Sequence, residues 1–207
     1  MVEYFVNGGP FMWPILILLI AGLGISAERF YSLIMSSTNT KEFFDDVIKS
    51  LDNDGIDNTI DLCNNTPGPV AEIFHAGLSR FHRGLREVEK AVQDAGGLEM
   101  SFLEKNMIWM NAVITIAPML GFTGTVAGMV NAFDAIAAAN DISPAVVAGG
   151  ISQALLTTAF GLIVAMIIQI FQNFFVSMID KLILDMEENS VKFMDQLHLE
   201  YEKLAQS

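Results

Sequence analysis

The stretch Ile142-Ser143-Pro144, running on to Val176-Ser177-Met178-Ile179, contains no Asp, Glu, Lys or Arg. A bilayer core is crossed by ~20 apolar residues in a helix, so this run spans it with several turns to spare. Its second half, Leu162 to Ile170, is almost purely apolar. Its first half is not. Gly150-Ile151-Ser152-Gln153-Ala154-Leu155-Leu156-Thr157-Thr158-Ala159-Phe160-Gly161-Leu162 sets one amide and three hydroxyls among small residues. Polar groups at that depth face a protein interior or a wet path, not lipid.

Two further uncharged runs lie upstream. Phe11 to Ala27 is closed by Glu28-Arg29, and Ile108 to Phe133 by Asp134. Together the runs predict an all-α membrane protein with three transmembrane helices, at 11–33, 108–135 and 144–176. The rest divides into an N-terminal segment 1–10, a helical insert 34–107, a connecting loop 136–143 and a helical tail 177–207. Composition agrees: 52% of the residues are hydrophobic and mean hydropathy is +0.45, too apolar for a soluble domain of this size. The net charge of −13 argues against nucleic acid as a partner. A single cysteine, Cys63, rules out an internal disulfide and suits a reducing compartment. The first residues lack the basic region and cleavage site of a secretory signal, so the first apolar run is expected to be retained.

Insert and tail read as aqueous helices. Thr40 is placed to cap a helix over 41–51. Asp52 to Gly55 and Asn65 to Pro69 are turns, with a short helix at 56–64 between them. Val70, Ile73, Phe74, Gly77, Leu78 and Phe81 recur at helical spacing, as do Val88, Val92, Ala95 and Phe102, although Gly96-Gly97 weakens the second helix by ~1 kcal/mol per glycine. In the tail, Ile179, Leu182, Ile183, Met186, Phe193, Met194, Leu197, Tyr201 and Leu204 form one packing stripe. His75, His82 and His198 lack metal-ligand spacing, and neither metal nor cofactor is expected.

All 11 Lys and Arg fall in the insert, in the tail, or at Arg29. The positive-inside rule therefore puts insert and tail in the cytoplasm, and the N-terminus and the 136–143 loop outside. Within the second span Pro118 is expected to kink the helix. Ala117, Gly121, Gly124, Gly128 and Ala132 recur at three and four residues, a face for close helix packing. Ser143 and Pro144 read as N-cap and first residue of the third span.

Two motifs resemble the ExbB/TolQ family of inner-membrane energy-coupling proteins, relatives of the flagellar stator subunit MotA. Ala117-Pro118-Met119-Leu120-Gly121-Phe122-Thr123-Gly124-Thr125-Val126-Ala127-Gly128 resembles the family's A-P-x-L-G-x-x-G-T-V-x-G. Gly150 to Leu162 resembles G-I-x-E-A-L-x-x-T-A-x-G-L, with Gly150 and Gly161 at its packing glycines. The resemblance implies a pentamer whose second and third spans line a central pore. That pore would hold the single-span helices of an ExbD/TolR-like partner, and ion flow would drive work on a TonB- or TolA-like protein. It places Thr125 and Thr158 at pore positions, with Gln153 and Thr157 as further candidates. Gln153 stands where the family usually has glutamate, and an amide does not titrate. Gln153 and Thr157 share a helix face, whereas Thr158 lies about 140° round from Gln153. Asp134 reads as an interfacial charge, and Glu28 and Arg29 as an inner-interface anchor or a mutual pair. No Walker loop, nucleophile elbow or carboxylate pair is present, so no enzyme is expected. The rival reading is a non-conducting membrane scaffold.

Overall fold

The computed structural model describes residues 2–36, 40–139 and 144–206. The described residues are helical almost throughout and include no strand. A short α1 (Val2–Asn7) precedes α2 (Met12–Ser36). Four helices follow: α3 (Thr40–Asn53), α4 (Gly55–Asn65), α5 (Pro69–Leu78) and α6 (Leu85–Leu103). Then come α7 (Met107–Ala139) and α8 (Pro144–Gln206). Three helical stretches, containing α2, α7 and the first half of α8, are long and apolar enough to cross a membrane. The protein is an all-α membrane protein.

The chain divides into two compact units. The first holds residues 1–29 and 106–174. Here α7 and α8 run antiparallel with their main chains almost touching. A Cβ placed on Gly161 would lie 2.5 Å from the Ala117 carbonyl oxygen, and one on Gly121 would lie 3.1 Å from the Thr157 carbonyl oxygen. Farther along, a Cβ on Gly128 would meet the Gly150 carbonyl oxygen at 3.1 Å. The small residues at 117, 121, 128, 150 and 161 therefore let two backbones approach as no larger side chain would. Helix α2 packs beside the pair, with Gly22 set against Ile168 and Val113. Helix α7 continues through Pro118. Helix α8 begins at Pro144, while Ser143 lies outside the described residues.

The second unit holds residues 30–105 and 175–207. Its core is aromatic: Phe74 stacks on Phe193 with centroids 4.1 Å apart, and Phe43 also stacks on Phe74, at 5.9 Å. Of the tail stripe, Ile179, Leu182, Met186, Phe193 and Leu197 are buried. Burial of Val88, Ala91 and Val92 outweighs the local cost of Gly96-Gly97, and α6 runs unbroken through both. Thr40 is itself helical, so it belongs to α3 and is not a cap outside the helix.

Candidate functional site

The sequence motifs of α7 and α8 converge on a pair of threonines. Gly121 and Gly128 lie against the α8 main chain, and Gly124 lies against the Thr157 side chain. The hydroxyls of Thr125 and Thr158 hydrogen-bond to each other across the two helices. Each also lies near the same two carbonyls. Thr158 Oγ1 is 3.1 Å from the Gly121 oxygen and 3.3 Å from that of Ala154. Thr125 Oγ1 is 3.3 Å from both. Four oxygens thus share two hydroxyl protons, and both carbonyls also belong to the helix ladders. The cluster is neutral, half-buried and rich in lone pairs. Each hydroxyl both donates and accepts, so it can serve a carboxylate, a carboxylic acid or a cation.

Gln153 and Thr157 belong to a different surface. Thr157 is fully buried, and its hydroxyl lies 2.7 Å from the Gly8 carbonyl oxygen and 2.8 Å from that of Gln153. The Gln153 side chain rests on Gly9, whose φ of +78° is open to glycine without strain. The turn joining α1 to α2 therefore docks on the face of α8 that carries residues 153 and 157. Thr158 looks the other way, toward Thr125. The angular separation read from the sequence anticipates this split. The receiving turn, Asn7-Gly8-Gly9-Pro10, has turn chemistry in its sequence, but nothing local to it marks the contact with α8.

Thr123 is exposed and donates to the Met119 carbonyl of its own helix at 2.8 Å. Asp134 is exposed near the end of α7. At the opposite end of the spans, Arg29 is buried and grips Glu28 through two nitrogens, at 2.7 Å and 2.5 Å. Asn106 donates to the same carboxylate at 3.2 Å. Asn106 holds φ +66°, a left-handed conformation that asparagine tolerates better than most residues, and α7 begins directly after it. Glu28 and Arg29 thus pair with each other, and the Asn106 bond ties the far end of α2 to the start of α7.

Shifted titrations occur in the second unit. Burial pushes the Cys63 thiol up to about 12. The Glu99 carboxyl is raised by burial and then by the charge of Glu72. Spans α7 and α8 carry no carboxylate between Met107 and Phe133 or between Pro144 and Ile179.

Comparison with known proteins agrees with the motifs. The profile of the MotA/TolQ/ExbB proton channel family matches residues 65–188. A protein of Methanothermobacter thermautotrophicus named for its homology to the biopolymer transport protein ExbB is 31% identical over 180 residues, 86% of this chain and 64% of that protein. The Tol-Pal system protein TolQ of Pseudomonas aeruginosa is 34% identical over 108 residues, 46% of each chain. Biopolymer transport protein exbB1 of Vibrio cholerae is 25% identical over 168 residues, 76% of this chain and 71% of that protein. The chain thus spans less than two thirds of the length of two of these relatives.

Proposed function

Because the chain belongs to the MotA/TolQ/ExbB proton channel family, we propose that it is the multi-span subunit of an ion-driven motor. It sits in the bacterial inner membrane with its N-terminus in the periplasm and its insert and tail in the cytoplasm. Five copies surround a pore that holds an ExbD/TolR-like single-span partner. The assembly turns proton- or sodium-motive force into mechanical work on a TonB- or TolA-like protein, for outer-membrane transport or envelope maintenance.

The observation that carries this reading is the Thr125–Thr158 cluster. It is polar, charge-free and half-exposed within spans that hold no carboxylate. A bare charge at the bilayer centre costs ~2.5–3.5 kcal/mol on insertion scales, and more in simulation. Ion passage therefore needs a titrating group from elsewhere, and an acidic side chain on the partner supplies it. The two hydroxyls accept from that acid when it is protonated and donate to it when it is ionised. Gln153 holds the N-terminal turn beside the path and does not compete for the proton. Thr157, sealed against Gly8, serves the scaffold. Native mass spectrometry of the complex co-expressed with its single-span partner tests the proposal. Five copies carrying a sub-stoichiometric partner are expected, and a complex that excludes the partner would contradict it.

A further inference from the structure

Exposed polar side chains recur on the uncovered face of the α7–α8 pair, well away from the threonines. Asn111, Thr115 and Asn173 are exposed and Gln169 is half-exposed. They lie on the same side of each helix as the threonines. At 100° per residue, Asn111 and Thr115 fall within about 80° of Thr125 on α7, and Gln169 and Asn173 within about 60° of Thr158 on α8. Helix α2 lies on the other side of the pair. It meets Val113 and Ile168 through Gly22, and its preceding turn meets Gln153 and Thr157.

The positions also match in depth. Thr115 and Gln169 each lie about 15–17 Å along their helix from the threonine pair, and Asn111 and Asn173 about 21–23 Å, at 1.5 Å per residue. Since α7 and α8 run antiparallel, the four residues make two level rungs, each with one member per helix. Between the rungs and the threonines the same face is apolar: Met119, Phe122, Leu162 and Met166 are all exposed there.

The chemistry of the rungs is unsuited to lipid. Gln169 Nε2 donates to Asn173 Oδ1 at 2.9 Å, which leaves both amides with further donors and acceptors. Gln172, beside them, has a buried side-chain oxygen with no hydrogen-bond partner. Buried acceptors are ordinarily satisfied by protein or water, and exposed amides within a span face a protein interior or a wet path.

We infer that the two rungs line a hydrated vestibule. It opens at the end of the spans marked by Glu28, Arg29 and Asn106, and the Met119–Phe122–Leu162–Met166 belt closes it off from the threonine cluster. This deepens the motor reading and rests on it. The occupant is a water column that receives or delivers the ion. The apolar belt gates it by excluding water, as hydrophobic constrictions do.

The test uses the assembled complex in inverted membrane vesicles, in a Cys63→Ser background. Single cysteines replace Asn111, Thr115, Gln169 or Asn173, with Ile17→Cys on the exposed face of α2 and Leu162→Cys in the belt as references. A charged, membrane-impermeant methanethiosulfonate reagent is the probe. A thiol reacts as its thiolate, which forms in water, so cysteines at the rungs should label at least about tenfold faster than those at Ile17 or Leu162. Rates equal to Ile17 at both rungs would overturn the vestibule. So would spontaneous disulfide dimers in place of labelling, which would assign the rungs to a contact between copies. As a second measurement, the pair Gln169→Leu with Asn173→Leu, which adds apolar bulk without a thiol, should lower ion flux severalfold with assembly intact. Unchanged flux would count against the vestibule. Labelling needs no transport: labelled rungs in a complex without flux would sink the motor reading alone, whereas full flux with unlabelled rungs would sink the vestibule alone.

Discussion

Removing the Thr125 and Thr158 hydroxyls singly and together separates a joined pair from two independent side chains. Valine keeps the shape of threonine and deletes only the oxygen. The two hydroxyls hold two protons, and one of these makes the cross-helix bond between them. In either single variant the surviving hydroxyl redirects its proton to a carbonyl already within reach, at 3.1 or 3.3 Å. The first substitution therefore loses about one net hydrogen bond, ~0.5–1.5 kcal/mol. In a bilayer the lower part of that range applies, since measured interhelical bonds average ~0.6 kcal/mol. The second substitution removes only a bond to a carbonyl that the helix ladder already satisfies, so it costs less than the first. The double variant should be more stable than the sum of the singles predicts, by up to about 0.5 kcal/mol. Unfolding of the reconstituted complex in rising SDS fraction measures the cycle. Ion throughput, followed in the same preparations, should fall in each single variant by more than the stability loss accounts for. Strict additivity in the cycle, with full throughput in both single variants, would refute the paired geometry and its role together.

Gly161→Ala puts a methyl 2.5 Å from the Ala117 carbonyl oxygen and 3.2 Å from Gly121 Cα, both main-chain atoms that cannot swing aside. It should cost ~1–3 kcal/mol by overpacking, while Gly24→Ala, with nothing within 4 Å of the new methyl, should be neutral or mildly stabilising in the same SDS titration. Cys63, buried with its thiol raised to about 12 from an ordinary 9.0, should resist thiolate reagents in the folded protein and react on denaturation. Because the unfolded chain releases this proton first, fold stability should decline as pH rises from about 9 toward 12, and Cys63→Ala should flatten that slope in pH-dependent melting.

Much of this was legible because membrane helices are written in long uncharged runs. The uncharged runs beginning at Phe11 and Ile108 fall on α2 and α7, and the third, from Pro144 on, falls on the first half of α8. The family resemblance assigns both Thr125 and Thr158 to pore positions, their direct contact is seen only in the structure, and the helical angle separates Thr158 from Gln153. What escaped was set by contacts between segments far apart in the chain. Nothing local to Gly8 and Gly9 says that their main chain meets Thr157 and Gln153 nearly 150 residues later. Asn106 joins Glu28 across 78 positions, and only the fold reveals why an asparagine with positive φ begins α7. Asn111, Thr115, Gln169 and Asn173 were visible as polar letters in apolar runs. Their meaning needed the antiparallel register of α7 on α8, which brings them to matched depths.

Ion flux into liposomes tests the central claim most directly. Vesicles holding this chain alone should show no flux above empty vesicles, because α7 and α8 carry no titrating group in their apolar cores. Adding the single-span partner should raise flux severalfold, and changing the acidic residue in that partner's span to its amide should return it to background. Robust flux through this chain alone, indifferent to the partner, would contradict the account.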